Sequence, residues 1–233
     1  MKDFFKHNAV FLSLSLVLVI ALGLALFLIP KGELHLLLCD RHTPARDIFY
    51  RYYTHVAEWF PYVLCLCLLL FGRIGDGVFA SACQALSALT TQIIKHIVVA
   101  PRPLTWFSEH MPEVQLPLVD GVQMNYWLSF PSGHTTSFFA LAGALVVIIS
   151  QRASKRSLLN GSTPLIFSLV ILQILLFLLA ALGGYSRIYL CQHFAADVLG
   201  GMAVGLLITV SCYAIFHRYE DLKWYNYRVL AKK

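Results

Sequence analysis

The chain has 233 residues, with 18 Lys or Arg against 12 Asp or Glu and a formal net charge of +6. Charged residues make up 13% of it, about half the share of an ordinary soluble domain, while 58% are hydrophobic. A soluble fold of this length has too little interior for that much apolar surface, and the composition equally excludes a disordered chain, a disulfide scaffold and a nucleic-acid-binding domain. What remains is an all-α integral membrane protein.

Uncharged runs bounded by ionisable residues mark six expected transmembrane helices in one domain spanning 1–233, at about 9–29, 55–72, 77–100, 134–150, 164–183 and 198–216. The first follows Lys2 and Lys6 and ends at Pro30; it is longer than a signal-peptide core and no small-x-small cleavage site follows, so it reads as an uncleaved span. The second is the shortest: Glu58 and Arg73 bracket only Trp59 to Gly72, and a full crossing needs extension back through Ala57 to His55. Between these two spans, Pro30 to Thr54 reads as a long loop whose His35, His42 and His55 are expected to be solvated or interfacial.

The cations orient the bundle. With both termini inside, Lys2, Lys6, Arg73, Arg152, Lys155, Arg156, Arg218, Lys223, Arg228, Lys232 and Lys233 face the cytoplasm, 11 of the 18 basic residues, in keeping with the positive-inside rule. Four of the six cysteines, Cys65, Cys67, Cys83 and Cys212, lie in apolar runs and read as small hydrophobes. Cys39 and Cys191 fall near loops, and nothing in the sequence says whether they pair.

Three polar clusters stand where spans meet loops on the opposite, non-cytoplasmic side: Lys95 to Pro103, Pro131-Ser132-Gly133-His134, and Ser186 to Asp197. Each has a structural reading of its own. Lys95 or Arg102 could snorkel to headgroups, Ser132 could cap a helix, and His193 with Asp197 four residues on could form a local hydrogen bond. Together they describe a phosphate site. Lys95, Arg102 and Arg187 supply three cations, Ser132 and the amides near Gly133 add donors at a helix start, and two histidines can divide attack from protonation. A carboxylate one turn from His193 would hold its imidazole in the attacking tautomer.

These clusters resemble the signature of the type 2 phosphatidic acid phosphatase (PAP2) superfamily: Lys, six residues, Arg-Pro; Pro-Ser-Gly-His; and Ser-Arg, five residues, His, three residues, Asp. Every fixed position is present, in order, and the six-span layout is similar to that of the family's membrane members. The resemblance implies that His193 is the nucleophile that forms a phosphohistidine, that Asp197 orients it, and that His134 protonates the leaving oxygen. It implies that Lys95, Arg102, Ser132, Gly133 and Arg187 bind phosphate, and that no metal or other cofactor takes part; along the chain no His/Cys group has metal-ligand spacing.

The same resemblance, together with the stretch Arg41-His-Thr-Pro-Ala-Arg-Asp47, implies a multi-pass protein of the bacterial inner membrane with its active site facing the periplasm. Its substrate would be a lipid phosphate or diphosphate, undecaprenyl diphosphate or lipid A phosphate before phosphatidate or phosphatidylglycerophosphate, and its partner the lipid bilayer. Choice among these lipids is expected to lie with Leu104 to Phe130 and Pro30 to Thr54; the former reads equally as a lid over the headgroup or as an amphipathic loop on the bilayer. Two other readings stay open: a lipid phosphotransferase using the same residues, and a transporter whose cations bind an anionic lipid without chemistry.

Overall fold

The computed structural model describes residues 2–160 and 163–230, with side chains at 4–153 and 167–230. Among these residues every regular element is helical: α1 (Lys2–His7), α2 (Ala9–Leu28), α3 (Lys31–Cys39), α4 (Pro44–Tyr53), α5 (Val56–Phe71), α6 (Ile74–Val98), α7 (Pro103–His110), α8 (Gly133–Asn160), α9 (Thr163–Tyr189), α10 (Ala195–Phe216) and α11 (Lys223–Asn226), with a 3₁₀ turn at His217–Tyr219. Five of the helical segments are long and apolar enough to cross a bilayer. A sixth crossing is made if α4 and α5, bent by 40° at Thr54–His55, are one broken span.

Local chemistry sets the ends. α4 starts at Pro44 behind Thr43, whose hydroxyl accepts the Arg46 N–H at 3.3 Å. α6 stops at Val99, whose left-handed backbone (φ 45°) lets its N–H reach the Lys95 carbonyl at 3.0 Å; Pro101 and Pro103 then prevent any continuation. α8 is the hub. Between Gly133 and Ala153 it is mostly buried, and it packs on α6, α9 and α10, while α2 lies outside with most of its surface exposed. Two apolar cores flank it, one around Phe11, Phe138, Phe139 and Met202, the other around Phe79, Cys83, Val147 and Tyr213.

α8 and α10 approach so closely that a Cβ on Gly201 would lie 2.5 Å from the Ser132 carbonyl oxygen. At the far end of α8 stands a charged knot. Asp76, fully buried in the first turn of α6, accepts two hydrogen bonds from Arg73 at 2.9 Å and further ones from Arg152 and the Tyr225 hydroxyl.

Several expectations change. The loop placed between Pro30 and Thr54 contains α3 and α4. The cytoplasmic loop expected at Arg152–Arg156 is a continuation of α8, which runs ten residues past the expected end at 150. α9 likewise continues beyond 183 to Tyr189 and carries Ser186 and Arg187 on its last turns. Uncharged runs end at the first polar residues, whereas backbone hydrogen bonding carries the helices on past them; the last residues of α9, Ser186 to Tyr189, are buried in the protein. His35 is not solvated: it is 1% exposed, its ring packed against Phe107 at 5.6 Å and Phe194 at 5.1 Å. The side chains of Lys2, Lys155 and Arg156, and Lys232 and Lys233 altogether, lie outside the described residues.

Candidate active site

The three clusters converge at one end of the bundle, where α6 ends and α8 and α10 begin. Within the third cluster the His193 N–H donates to the Arg187 carbonyl at 3.1 Å, and the Ser132 N–H donates to the Asp197 carbonyl at 2.9 Å, joining the second cluster to the third. Lys95, buried on the last turn of α6, donates from Nζ to the Leu128 carbonyl. Arg102 precedes α7, with Nε on the Trp127 carbonyl at 3.0 Å and Nη1 on Gln192 Oε1 at 3.0 Å. Arg187 is 6% exposed; Nη1 donates to Thr54 Oγ1 at 2.6 Å, and Nε has no hydrogen-bond partner among the described residues. A buried guanidinium with an idle donor is prepared for an anion.

His193 occupies the short loop between α9 and α10 and is almost fully buried. Its Nδ1 lies 3.4 Å from Asp197 Oδ2. That carboxylate oxygen is itself fixed, accepting from Ser129 Oγ at 2.5 Å and from the Phe194 N–H at 2.8 Å. With Nδ1 turned to the carboxylate, Nε2 is the nitrogen that carries the free lone pair. Burial holds the imidazole down at about 3, assisted by Arg102 and Arg187 and opposed by Asp197. It is therefore uncharged at neutral pH, the form that a nucleophile requires.

Ser132 is wholly buried and its hydroxyl is engaged: it accepts from the Thr135 hydroxyl at 2.9 Å and the Thr135 N–H at 3.4 Å, capping α8. Gly133 opens the helix with nothing but Thr91 Cγ2, at 3.8 Å, near the place of a Cβ. His134, on the first turn of α8, points its Nε2 at Glu58 Oε1 at 3.1 Å, and the other oxygen of Glu58 lies 2.9 Å from His55 Nδ1. Glu58, Tyr62, Gln84, Thr91, Gly133 and His134 line a cleft of about 170 Å³ between α5, α6 and α8. A separate apolar groove of about 230 Å³, lined by Val56, Phe60, Phe138, Leu145, Leu176 and Leu179, separates α5, α8 and α9.

Sequence reasoning singled out eight site residues, and the structure gathers all of them at this end. It adds Glu58, Thr54, Ser129 and Gln192, which sequence reasoning missed. Glu58 is legible only as a charge at the mouth of a span; the other three carry no signal that separates them from ordinary polar residues. The carbonyls of Tyr126, Trp127 and Leu128 that hold Arg102 and Lys95 have no side-chain signature at all. Each of the three loops also contains one L-residue in the left-handed region, Val99, Leu128 and Cys191 at φ 45°, 58° and 51°, a cost of about 1 kcal/mol or more apiece that surrounding contacts must overcome.

Comparison with known proteins places the chain in a family. The model of the PAP2 superfamily matches residues 76–221, a stretch that encloses all three clusters. The lipid A 4'-phosphatase of Porphyromonas gingivalis is 26% identical over 190 residues, covering 78% of this chain and 70% of that protein. The undecaprenyl-diphosphatase BcrC of Bacillus subtilis is 26% identical over 186 residues, covering 78% and 79% respectively. In fold, the chain is similar to LpxE of Aquifex aeolicus (TM-score 0.59, 23% identity, 78% of this chain and 93% of that one). It is similar also to the PAP2-type phosphatidylglycerolphosphate phosphatase of Bacillus subtilis (TM-score 0.53, 20% identity, 94% and 100%). With its three clusters brought to one end of a helical bundle and the family match covering most of its length, this chain belongs to the PAP2 superfamily.

Proposed function

We propose that this protein hydrolyses a phosphomonoester or diphosphate on a membrane lipid at the periplasmic face of a bacterial inner membrane, with undecaprenyl diphosphate and lipid A phosphate as the favoured substrates. Lys95, Arg102 and Arg187 grip the phosphate oxygens, joined by the amides at the start of α8. His193 Nε2 attacks phosphorus, forming the P–N bond of a phosphohistidine as the P–O bond to the lipid breaks. Asp197 holds Nδ1–H and balances the positive charge that grows on the ring. His134 gives a proton to the departing oxygen, then takes one from the water that releases phosphate. The lipid tail enters sideways from the bilayer, for which the apolar groove beside α5 offers a path.

The observation that carries this reading is the placing of a buried His193, its Nδ1 3.4 Å from a fixed Asp197 carboxylate, on the loop that leaves Arg187. The relatives named as acting on lipid A and on undecaprenyl diphosphate support the choice of substrates. The test is phosphate release in detergent from undecaprenyl diphosphate, lipid A, phosphatidate and phosphatidylglycerophosphate. Release from one of the first two, abolished in His193→Ala, is the expected result; full release by His193→Ala would sink the mechanism.

A further inference from the structure

We infer that His35, Cys39 and Cys191 form a buried site for one borderline-soft transition-metal ion of the Zn²⁺ type, which fastens the end of α3 to the loop carrying His193. A ring nitrogen of His35 and the sulfurs of Cys39 and Cys191 all lie within 4.8 Å of one another, and all three residues are buried. Imidazole and thiolate are the donor set that such ions prefer over hard cations.

Two further observations point to a ligand. Neither ring nitrogen of His35 has a hydrogen-bond partner among the described residues, although the side chain is 1% exposed and walled by Phe107 and Phe194. A buried imidazole normally finds at least one partner, and a metal ion between it and the thiols would supply it. Cys191 also holds its thiol there from a left-handed backbone, φ 51°, a conformation that glycine would adopt without strain. The two thiols face each other in a side-chain contact, and apart from it Cys191 makes only a distant contact with the Pro117 carbonyl at 3.9 Å and Cys39 one with the Leu36 carbonyl at 3.7 Å.

The charge balance suits a dry setting. Binding removes one proton from each thiol and forms two metal–sulfur bonds and one metal–nitrogen bond. A divalent ion, two thiolates and a neutral imidazole then sum to zero, so the filled site leaves no net charge among the aromatic rings. No electron is transferred. Cys191 stands two residues before His193, so the ion would steady the nucleophile's loop without touching phosphate. The site comes from segments far apart in sequence, which is why spacing along the chain gives no sign of it.

The test uses the full chain in detergent, reduced and stripped with chelator, then titrated with Co²⁺ as a visible substitute for Zn²⁺. The expected result is one ion per chain with a thiolate-to-cobalt charge-transfer band, bleached by Zn²⁺. The band should be absent in Cys39→Ser and in Cys191→Gly, which keeps the backbone unstrained, and weakened in His35→Ala. Zn²⁺ should raise the melting temperature of the unaltered chain and leave that of Cys191→Gly unmoved. Absence of the band in the unaltered chain, or its survival in Cys39→Ser, overturns the inference. So does a purified chain two hydrogens lighter, with Cys39 and Cys191 in one cross-linked peptide, that binds no Co²⁺ after reduction. Every readout is of binding and none depends on turnover, so the result is independent of the proposed chemistry.

Discussion

Each histidine at the site has a carboxylate beside it, Asp197 by His193 and Glu58 by His134. His193 is held down at about 3 while the unfolded chain titrates near 6.5, chiefly by burial. Above about pH 6.5 neither state is protonated and nothing is lost. As pH falls toward 3 the unfolded state takes up a proton that the folded state refuses, so stability declines through that window. The melting temperature in detergent should therefore fall between about pH 6.5 and pH 4, and His193→Gln should flatten that slope. Glu58 sets a carboxylate oxygen 3.1 Å from His134 Nε2, and the proposed proton transfer rests on that contact. Glu58→Gln should slow phosphate release from an alkyl lipid phosphate by about tenfold or more, yet leave an activated aryl phosphate, whose leaving group needs no proton, almost unaffected. Equal losses on both substrates would mark Glu58 as structural. The motif residues were readable because reactive side chains recur at set spacings around each loop. Glu58, Thr54 and Ser129 were not, because what they do depends on partners 60 or more residues away in the chain.

Helices bring those partners together through close backbone contact more than through side-chain reach. Gly201 on α10 lies against the Ser132 peptide, and the Ser132 N–H reaches back to the Asp197 carbonyl. Gly201→Ala would push the two helix starts apart by forcing a Cβ into a 2.5 Å gap. It should cost about 1–3 kcal/mol of stability and most of the activity. Gly133→Ala is the contrasting case, since its Cβ would meet only Thr91 at 3.8 Å. It should melt like the unaltered chain, so any rise in KM would report crowding of bound phosphate. At this scale the apolar runs located the long helices but not their ends. α8 and α9 extend past the uninterrupted apolar runs because the helical hydrogen-bond ladder is indifferent to side-chain polarity. The short helices α3 and α4 were hidden for the converse reason, being too brief and too polar to register as spans.

Across the whole molecule, charge is gathered at the two ends of the bundle. One end holds the proposed phosphate site; the other holds Asp76, clasped by Arg73, Arg152 and Tyr225. Asp76→Ala leaves Arg73 without its buried counter-charge and should lower stability by about 3 kcal/mol or more, read as an earlier melt in detergent. The surviving folded fraction should keep its KM, because α6 and α8 carry the site at their opposite ends. The scarcity of charge that identified a membrane protein thus also located both knots, though only the folded chain shows which cations are tied and which stand ready. The bend between α4 and α5 ties the two ideas together. Thr54, at the bend, holds Arg187, and Glu58, one turn into α5, holds His134. Any swivel of that joint shifts Arg187 and His134, the proposed phosphate clamp and proton donor, in the same stroke. In the proposed reaction grip and release would then be geared to one another, and lipid pressing sideways on α5 would act on both at once.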